Sequence, residues 1–431
     1  MDRLQDETGL TGVTVAVMTD GQLAGVAAAG ERRRGSGIPV TVDDRWHVGS
    51  ITKSMTATLL AVLEDDGRLS RDDTLPALLP DIGMAGGWDA CTLHHLLTHT
   101  AGAGVDLPNR VQSIWPDTAE ELVAARRRFI ADILDKEPES PCGERFAYSN
   151  VGYTIAGHIA ETVAGTPYEA LLQERVFAPL MLASAGFGPP QGDAPNQEPI
   201  GHVVLLRWFR LRADPFKTRA DNSPVTSPAG AVHMTIGDLA RFGEAHLQGE
   251  SATSPPLLPR AAWERLHTPF LDDYASGWVR VERDWAGGPV LWQTAATRCG
   301  TPCSCSCPPG TLCWRSRPTT VRYRRPRPRS SSWLGSWAAG RHQHPDRRRS
   351  GRMTPSAPTA RRPAGPPTGP HRGSTTRQAG HPRRNGCRLV YRIPTSSDPN
   401  MAPATRDGAW GMSATRACRL RQAGPGLAQG T

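Results

Sequence analysis

The chain has 431 residues, nine cysteines and a formal net charge of +9, with a pI near 9.4. That length accommodates one large domain or two medium ones around a sizeable core. The basic balance belongs to one end, which excludes an evenly spread polyanion-binding surface. Residues 294–431 carry 25 Arg, no Lys, no Glu and three Asp, whereas residues 1–293 carry 25 basic and 38 acidic side chains.

In chain order, "GVTVAVMTDGQLAGVAAAG" reads as two short strands, Val13–Met18 and Leu23–Ala28, with a turn at Asp20-Gly21. From Ser50 the period becomes helical, with Ile51, Met55, Leu59, Leu60 and Leu63 on one pattern and Gly67 as a stop. "CTLHHLLTHTAGAG" is a short helix ending in a Gly-rich loop, and Thr118 to Glu121 form a capping box before an amphipathic helix. "SNVGYTIAGHIAETVAG" and "PYEALLQERVFAPL" form a helical pair punctuated by Gly165 and Pro167, and "TIGDLARFGEAHLQG" is another capped helix. "SGWVRVERDWAGGPVLW" returns to two strands around Gly287-Gly288. Strands at both ends with helices between them predict an α+β fold whose termini meet in one antiparallel sheet. Beyond Trp292, runs such as "RYRRPRPRSSSW" lose all periodicity and predict a disordered C-terminal third.

Only Cys91 and Cys142 precede position 294, so no disulfide framework is expected there. The start shows no basic segment followed by an apolar run, and no stretch approaches about 18 uninterrupted apolar residues. Neither a signal peptide nor a membrane span is expected, and the location read from this is cytoplasmic.

Two short motifs carry chemistry. Ser50-Ile51-Thr52-Lys53 is an S-x-x-K, which on a helix puts the lysine amine beside the serine hydroxyl. Burial would depress the lysine pKa and make it a base. Alone the motif is weak, expected by chance roughly once or twice in such a chain, and a Ser N-cap followed by an exposed Lys would look the same. The chain has only three lysines, and one of them stands here. Tyr148-Ser149-Asn150 is a Y-x-N opening a helix: the phenol could relay a proton and the Asn150 amide could bind a substrate carbonyl. A helix cap with a packed tyrosine is the plain alternative. His94, His95 and His99 offer an i, i+4 pair but no completing glutamate, so no metal is expected.

Together, with "LLTHTAG" between them, the two motifs are far more specific. "HVGSITKSMTATLLAVLEDDGRLSRDDTL", "LHHLLTHTAGA", "GERFAYSNVGYTIAGHIAE" and "SPAGAVHMTIGDLARFGEAH" resemble the serine β-lactamase/penicillin-binding superfamily, in its class C-like group of β-lactamases, D,D-peptidases and esterases. The resemblance covers residues 8–293. It implies an antiparallel sheet flanked by helices plus a helical subdomain. It also implies Ser50 as acylated nucleophile, Lys53 as its base, and Tyr148 with Asn150 as the second catalytic element. No cofactor is implied, and the substrate class is a small molecule or peptide bearing an amide, lactam or ester. "SPCGERF" departs from the family's usual Pro-Gly at Cys142.

The superfamily's third motif, Lys-Thr-Gly or His-x-Gly, should follow "GGPVLW", where Gln293, Thr294 and Ala295 stand. Writing the residues from Gln293 as degenerate codons and regrouping them one frame over allows W-H-N-G-G-N-T-L-W-Y-A and a run of apolar residues. One deleted base would therefore restore His-x-Gly and a strand. The tail, rich in residues with GC-rich codons and free of Lys and Phe, reads as an out-of-frame product. A domain over 8–293, truncated before its last strands, and an out-of-frame 294–431 tail are the expected organisation. Two other readings stand beside the hydrolase: a catalytically dead remnant or binding protein lacking the third motif, and an Arg-rich tail holding nucleic acid through charge alone. Four cysteines between Cys299 and Cys307 would suit a soft metal, but no C-x-x-C pair or returning histidines follow.

Overall fold

The computed structural model describes residues 10–19, 21–104, 107–190, 197–205, 209–212, 221–253, 255–286, 288–295, 310–315 and 389–394. All of them belong to one unit, residues 1–320 with 385–431.

β1 (Gly12–Thr19) and β2 (Gln22–Gly30) form the expected antiparallel hairpin, with Gly21 at φ 76° supplying the turn conformation an L-residue resists. After β3 (Arg45–His47) the chain makes one tight turn at Gly49–Ile51 and enters α1 (Thr52–Asp65). Residues Thr52 to Leu63 of α1 are all buried, so this helix runs through the core instead of lying on a face of it. Two of its hydroxyls bond back to the preceding turn: Ser54 Oγ donates to Ile51 O at 2.7 Å and Thr58 Oγ1 to Ser54 O at 2.8 Å.

α2 (Leu93–Leu97) follows, and α3 (Ala119–Leu134) opens with the capping box expected at Thr118 and Glu121. α4 (Asn150–Ala164) is capped by Ser149 Oγ, which accepts the Gly152 N–H at 2.9 Å, and ends at Gly165 with φ 68°. β4 (Gly186–Phe187), β5 (His202–Leu205), β6 (Phe209–Arg212) and β7 (Val232–Thr235) make two small sheets, ordered β3-β7-β4 and β5-β6. α5 (Ile236–Ser251) begins at a Thr235 cap and packs on β1; α6 (Arg260–Leu266) follows it.

β8 (Val279–Arg283) and β9 (Gly288–Ala295) return to the main sheet, and β10 (Gly310–Arg315) and β11 (Leu389–Pro394) complete it. The six-stranded order is β2-β1-β11-β10-β9-β8, antiparallel throughout. The two ends of the chain do meet in one sheet.

Two expectations need correction. A ladder stopping near Trp292 does not describe the sheet: β9 runs to Ala295, and β10 and β11, both from the Arg/Pro-rich tail, sit between β9 and β1. "GTLCWR" and "LVYRIP" are short strand-forming runs with proline only at the final position of the second, so each can pair on both sides. The remainder of the tail, including the cluster Cys299–Cys307, lies outside the described residues. The cysteine reading also changes, because Cys91 and Cys142 form a disulfide with Cα atoms 5.4 Å apart. Segments 99–102 and 139–147 run side by side, with Glu139 N to Gly102 O, Gly143 N to Thr100 O and Ala147 N to His99 O all at 2.8 Å. Cys142 lies in the second of these segments, and its bond to Cys91 spans a separation of 51 residues that carried no signal. Among the described residues no helix is long and apolar enough to cross a membrane.

Candidate active site

Ser50 lies in the turn before α1, between a left-handed Gly49 (φ 49°) and the buried Ile51. The Gly49 N–H donates to His47 Nδ1 at 3.0 Å, and His47 Nε2 lies 3.1 Å from the buried Asp221 Oδ1, so β3 holds the turn from behind. Ser50 keeps partial exposure, whereas Lys53 one turn on is wholly buried. The exposed-lysine alternative is thereby removed.

Lys53 Nζ is 2.6 Å from Ala229 O, 2.8 Å from Asn150 Oδ1 and 3.3 Å from Ser50 Oγ. Burial alone drives its pKa well below the ordinary lysine value. A neutral amine has two N–H bonds and one lone pair. The two short contacts are to acceptors that can take only the N–H bonds, so the lone pair is left for the longer contact, Ser50 Oγ. That is the arrangement a base needs.

Tyr148 Oη donates to Ser50 Oγ at 2.7 Å, and its ring centre lies 4.8 Å from Lys53 Nζ. Burial raises the phenol pKa above its usual 10, so Tyr148 holds its proton and can donate it. Asn150 is the first residue of α4, which fixes its amide beside Lys53. All four residues singled out in the sequence thus converge from the turn before α1, α1 itself, the loop ending at Ser149 and α4.

β9 supplies a fourth wall. Gln293, the residue standing where the third motif was expected, is buried, and its Nε2 donates to Ser50 O at 3.3 Å. Sequence reasoning missed four further participants: the Ala229 carbonyl, His47, Tyr274 and His99. The first was hidden because any residue has a carbonyl. His99 was in view as a metal candidate, but the three histidines diverge. His95 Nδ1 is 3.1 Å from the Thr92 nitrogen, His94 packs edge-on against Phe270, and His99 turns into the site against Tyr148.

A serine in the turn before a core helix that carries a buried lysine, faced by a tyrosine-asparagine pair and walled by an antiparallel strand, defines the class of serine hydrolases of the β-lactamase and penicillin-binding type. The family model described as Beta-lactamase matches residues 1–327, and the chain belongs to that family. Its members are serine hydrolases that act through an acyl-enzyme. The chain is 28% identical to "Penicillin-binding protein 4" of Amycolatopsis lactamdurans over 295 residues, covering 68% of this chain and 74% of that protein. It is 26% identical to the "D-alanyl-D-alanine-carboxypeptidase/endopeptidase AmpH" of Escherichia coli (strain K12) over 260 residues, covering 58% and 62% of the two chains. Among solved structures it resembles the octameric penicillin-binding protein homologue from Pyrococcus abyssi, with a TM-score of 0.58 at 21% identity over 73% of this chain and 69% of the other. That last likeness is one of fold alone.

Proposed function

We propose that this chain cleaves an amide, lactam or ester with Ser50 as the acylated nucleophile. Lys53 takes the Ser50 proton as Oγ bonds to the carbonyl carbon. Tyr148 passes its hydroxyl proton to the departing nitrogen or oxygen and regains one from Lys53, leaving an acyl ester on Ser50. Water, activated by the same pair, then releases the acid and frees the serine. The Asn150 amide holds both the Lys53 amine and the substrate carbonyl. No cofactor enters this reading, and the substrate is a small molecule or peptide.

The observation that carries it is the Lys53 contact set, in which two acceptors nearer than Ser50 Oγ leave the amine lone pair for the serine. Gln293, a neutral amide, offers a substrate carboxylate less attraction than a lysine ammonium at that place would, which favours uncharged esters and amides over carboxylate-bearing lactams. Labelling with a fluorescent fluorophosphonate and a fluorescent penicillin tests the assignment. The chain should label stoichiometrically at Ser50, faster with the fluorophosphonate, and Ser50→Ala should label with neither. Equal labelling of the Ser50→Ala protein rejects the nucleophile. Nucleic acid forms no part of this reading; a steep fall of DNA retention with salt would argue the reverse.

A further inference from the structure

His99 is buried and adopts the left-handed conformation at φ 59°, a region a non-glycine residue occupies only where its surroundings require it. Its Nδ1 accepts the Ser149 N–H at 3.0 Å. An imidazole that accepts through Nδ1 carries its proton on Nε2, and Nε2 lies 3.1 Å from Tyr274 Oη, which it can therefore donate to. The His99 carbonyl accepts the Ala147 N–H at 2.8 Å. The ring lies 4.4 Å from the Tyr148 ring, centre to centre, tilted by 47°. One residue thus touches both chain neighbours of Tyr148 and the face of its ring. Tyr274 continues the connection toward Gln293, whose Nε2 donates to Ser50 O.

We propose that His99 is the positioning residue of the second catalytic element, setting Tyr148 and Asn150 against Ser50 and Lys53 through its Nδ1 acceptor on the Ser149 N–H. The proposal rests on the reading of Ser50 as nucleophile. A residue that merely filled the core would account for the burial of His99. It would not account for two directed hydrogen bonds on opposite ring nitrogens, or for a backbone in the left-handed region. Ser149 is also the N-cap of α4, so its N–H lies at the junction where Tyr148 ends the loop and Asn150 begins the helix. Fixing that single group fixes the direction of both flanking side chains. Burial keeps His99 far below the ordinary imidazole pKa, so its Nδ1 acceptor persists throughout the neutral range.

Two substitutions separate the halves of the imidazole. In His99→Asn the amide oxygen falls near Nδ1, keeps the acceptor for Ser149 N–H and suits the left-handed backbone. In His99→Gln the amide reaches the Nε2 position, keeps the contact with Tyr274 and loses the acceptor. A displacement of about 1 Å in a catalytic group costs on the order of 100-fold in rate. The fluorophosphonate acylation rate of the full chain therefore falls about 100-fold in His99→Gln and less than about tenfold in His99→Asn. Melting temperature, measured on the same samples, changes alike in the two variants. Loss of rate that tracks loss of melting temperature, equally in both, would overturn the positioning role and leave His99 a core residue. If the parent chain labels and both variants label at its rate, His99 does not position the site, although Ser50 stands. If the parent itself does not label at Ser50, the nucleophile reading falls and the role of His99 with it.

Discussion

Asn150→Asp is the most informative single change at this site, because it alters charge without altering shape. The Asn150 oxygen lies 2.8 Å from Lys53 Nζ. Placing a carboxylate there adds a unit negative charge beside an amine that burial keeps from protonating. At an effective dielectric near 20, two unit charges about 4 Å apart interact by about 4 kcal/mol, which corresponds to about three pKa units. Asn150 is partly exposed, so screening reduces this to about two units. The sign follows directly. Lys53 acts as base only when neutral, and a raised Lys53 pKa moves the neutral form to higher pH. The midpoint of the acylation pH profile should therefore move up by about two units, so that at any pH well below the parent midpoint the rate falls by about 100-fold. The assay is the second-order rate of fluorophosphonate labelling, followed by stopped flow from about pH 5 to 10 for both proteins. Loss of the Asn150 amide as a substrate ligand would scale the whole curve down without moving it, so the midpoint isolates the charge effect. Superimposable midpoints for the two proteins would refute Lys53 as the base.

Three further changes probe the scaffold. The Cys91–Cys142 bridge closes a loop with a separation of 51 residues. Chain-entropy reasoning therefore predicts a loss of up to about 4 kcal/mol for Cys142→Ala, with a matching fall on reduction of the parent; an unchanged melting temperature under dithiothreitol contradicts it. Gly277 sits at φ 79°, where a Cβ would lie 2.5 Å from Ser54 Cα and 2.9 Å from the Lys53 carbonyl carbon. Gly277→Ala should cost roughly 2–4 kcal/mol and displace α1, reducing acylation as well as stability; parental behaviour in both would show that the two segments can separate freely. His233, buried on β7 with its Nδ1 2.9 Å from Gly188 O, has its pKa lowered to about 4, chiefly by burial. The unfolded chain takes up that proton first, so stability is lost as pH falls from about 6.5 to 4, by roughly 3 kcal/mol; His233→Gln should flatten that part of a urea-unfolding series and leave the rest.

The parts of this molecule legible in the sequence are those whose signal is local. Thr118 and Glu121 announce α3 because a capping box is complete within four residues, and Gly165 ends α4 because a left-handed cap favours glycine. Ser50 and Lys53 were legible because both lie on one turn. Tyr148 and Asn150 are legible as a Y-x-N opening a helix, but their meeting with Ser50 and Lys53 rests on the resemblance, since nothing local reveals that they face a helix nearly 100 residues earlier. What escaped notice is long-range and chemically anonymous. The Ala229 carbonyl, the Cys91–Cys142 bridge and the path from His99 through Tyr274 to Gln293 all depend on chain crossings without a sequence period. β10 and β11 escaped for a different reason. Each is six residues long inside a Pro- and Arg-rich background, and a window wide enough to average that background hides them.

Those two strands bear on the origin of the tail. The positions between β9 and β1 lie in the interior of the sheet, and leaving them open would strand two rows of backbone groups at about 1–3 kcal/mol for each unpaired buried group. The register sets Leu312 opposite Gln293 and Trp314 opposite Leu291, and both of those β9 residues are buried. Thr311 stands opposite Thr294, which is exposed. An interior strand needs backbone that can pair on both sides, and a six-residue run without an internal proline supplies it. Strand pairing is therefore compatible with an out-of-frame origin, because it asks only for a short run free of internal proline. A catalytic third motif is a more demanding requirement, and Gln293-Thr294-Ala295 does not meet it. We propose that a single missing base at codon 293 accounts for this. Resequencing the gene across that codon is the direct test, and the restored chain, with His-Asn-Gly after Trp292, should acylate faster than the 431-residue form. An unchanged reading frame, together with a restored chain that reacts no faster, would leave the tail as the native end of the protein.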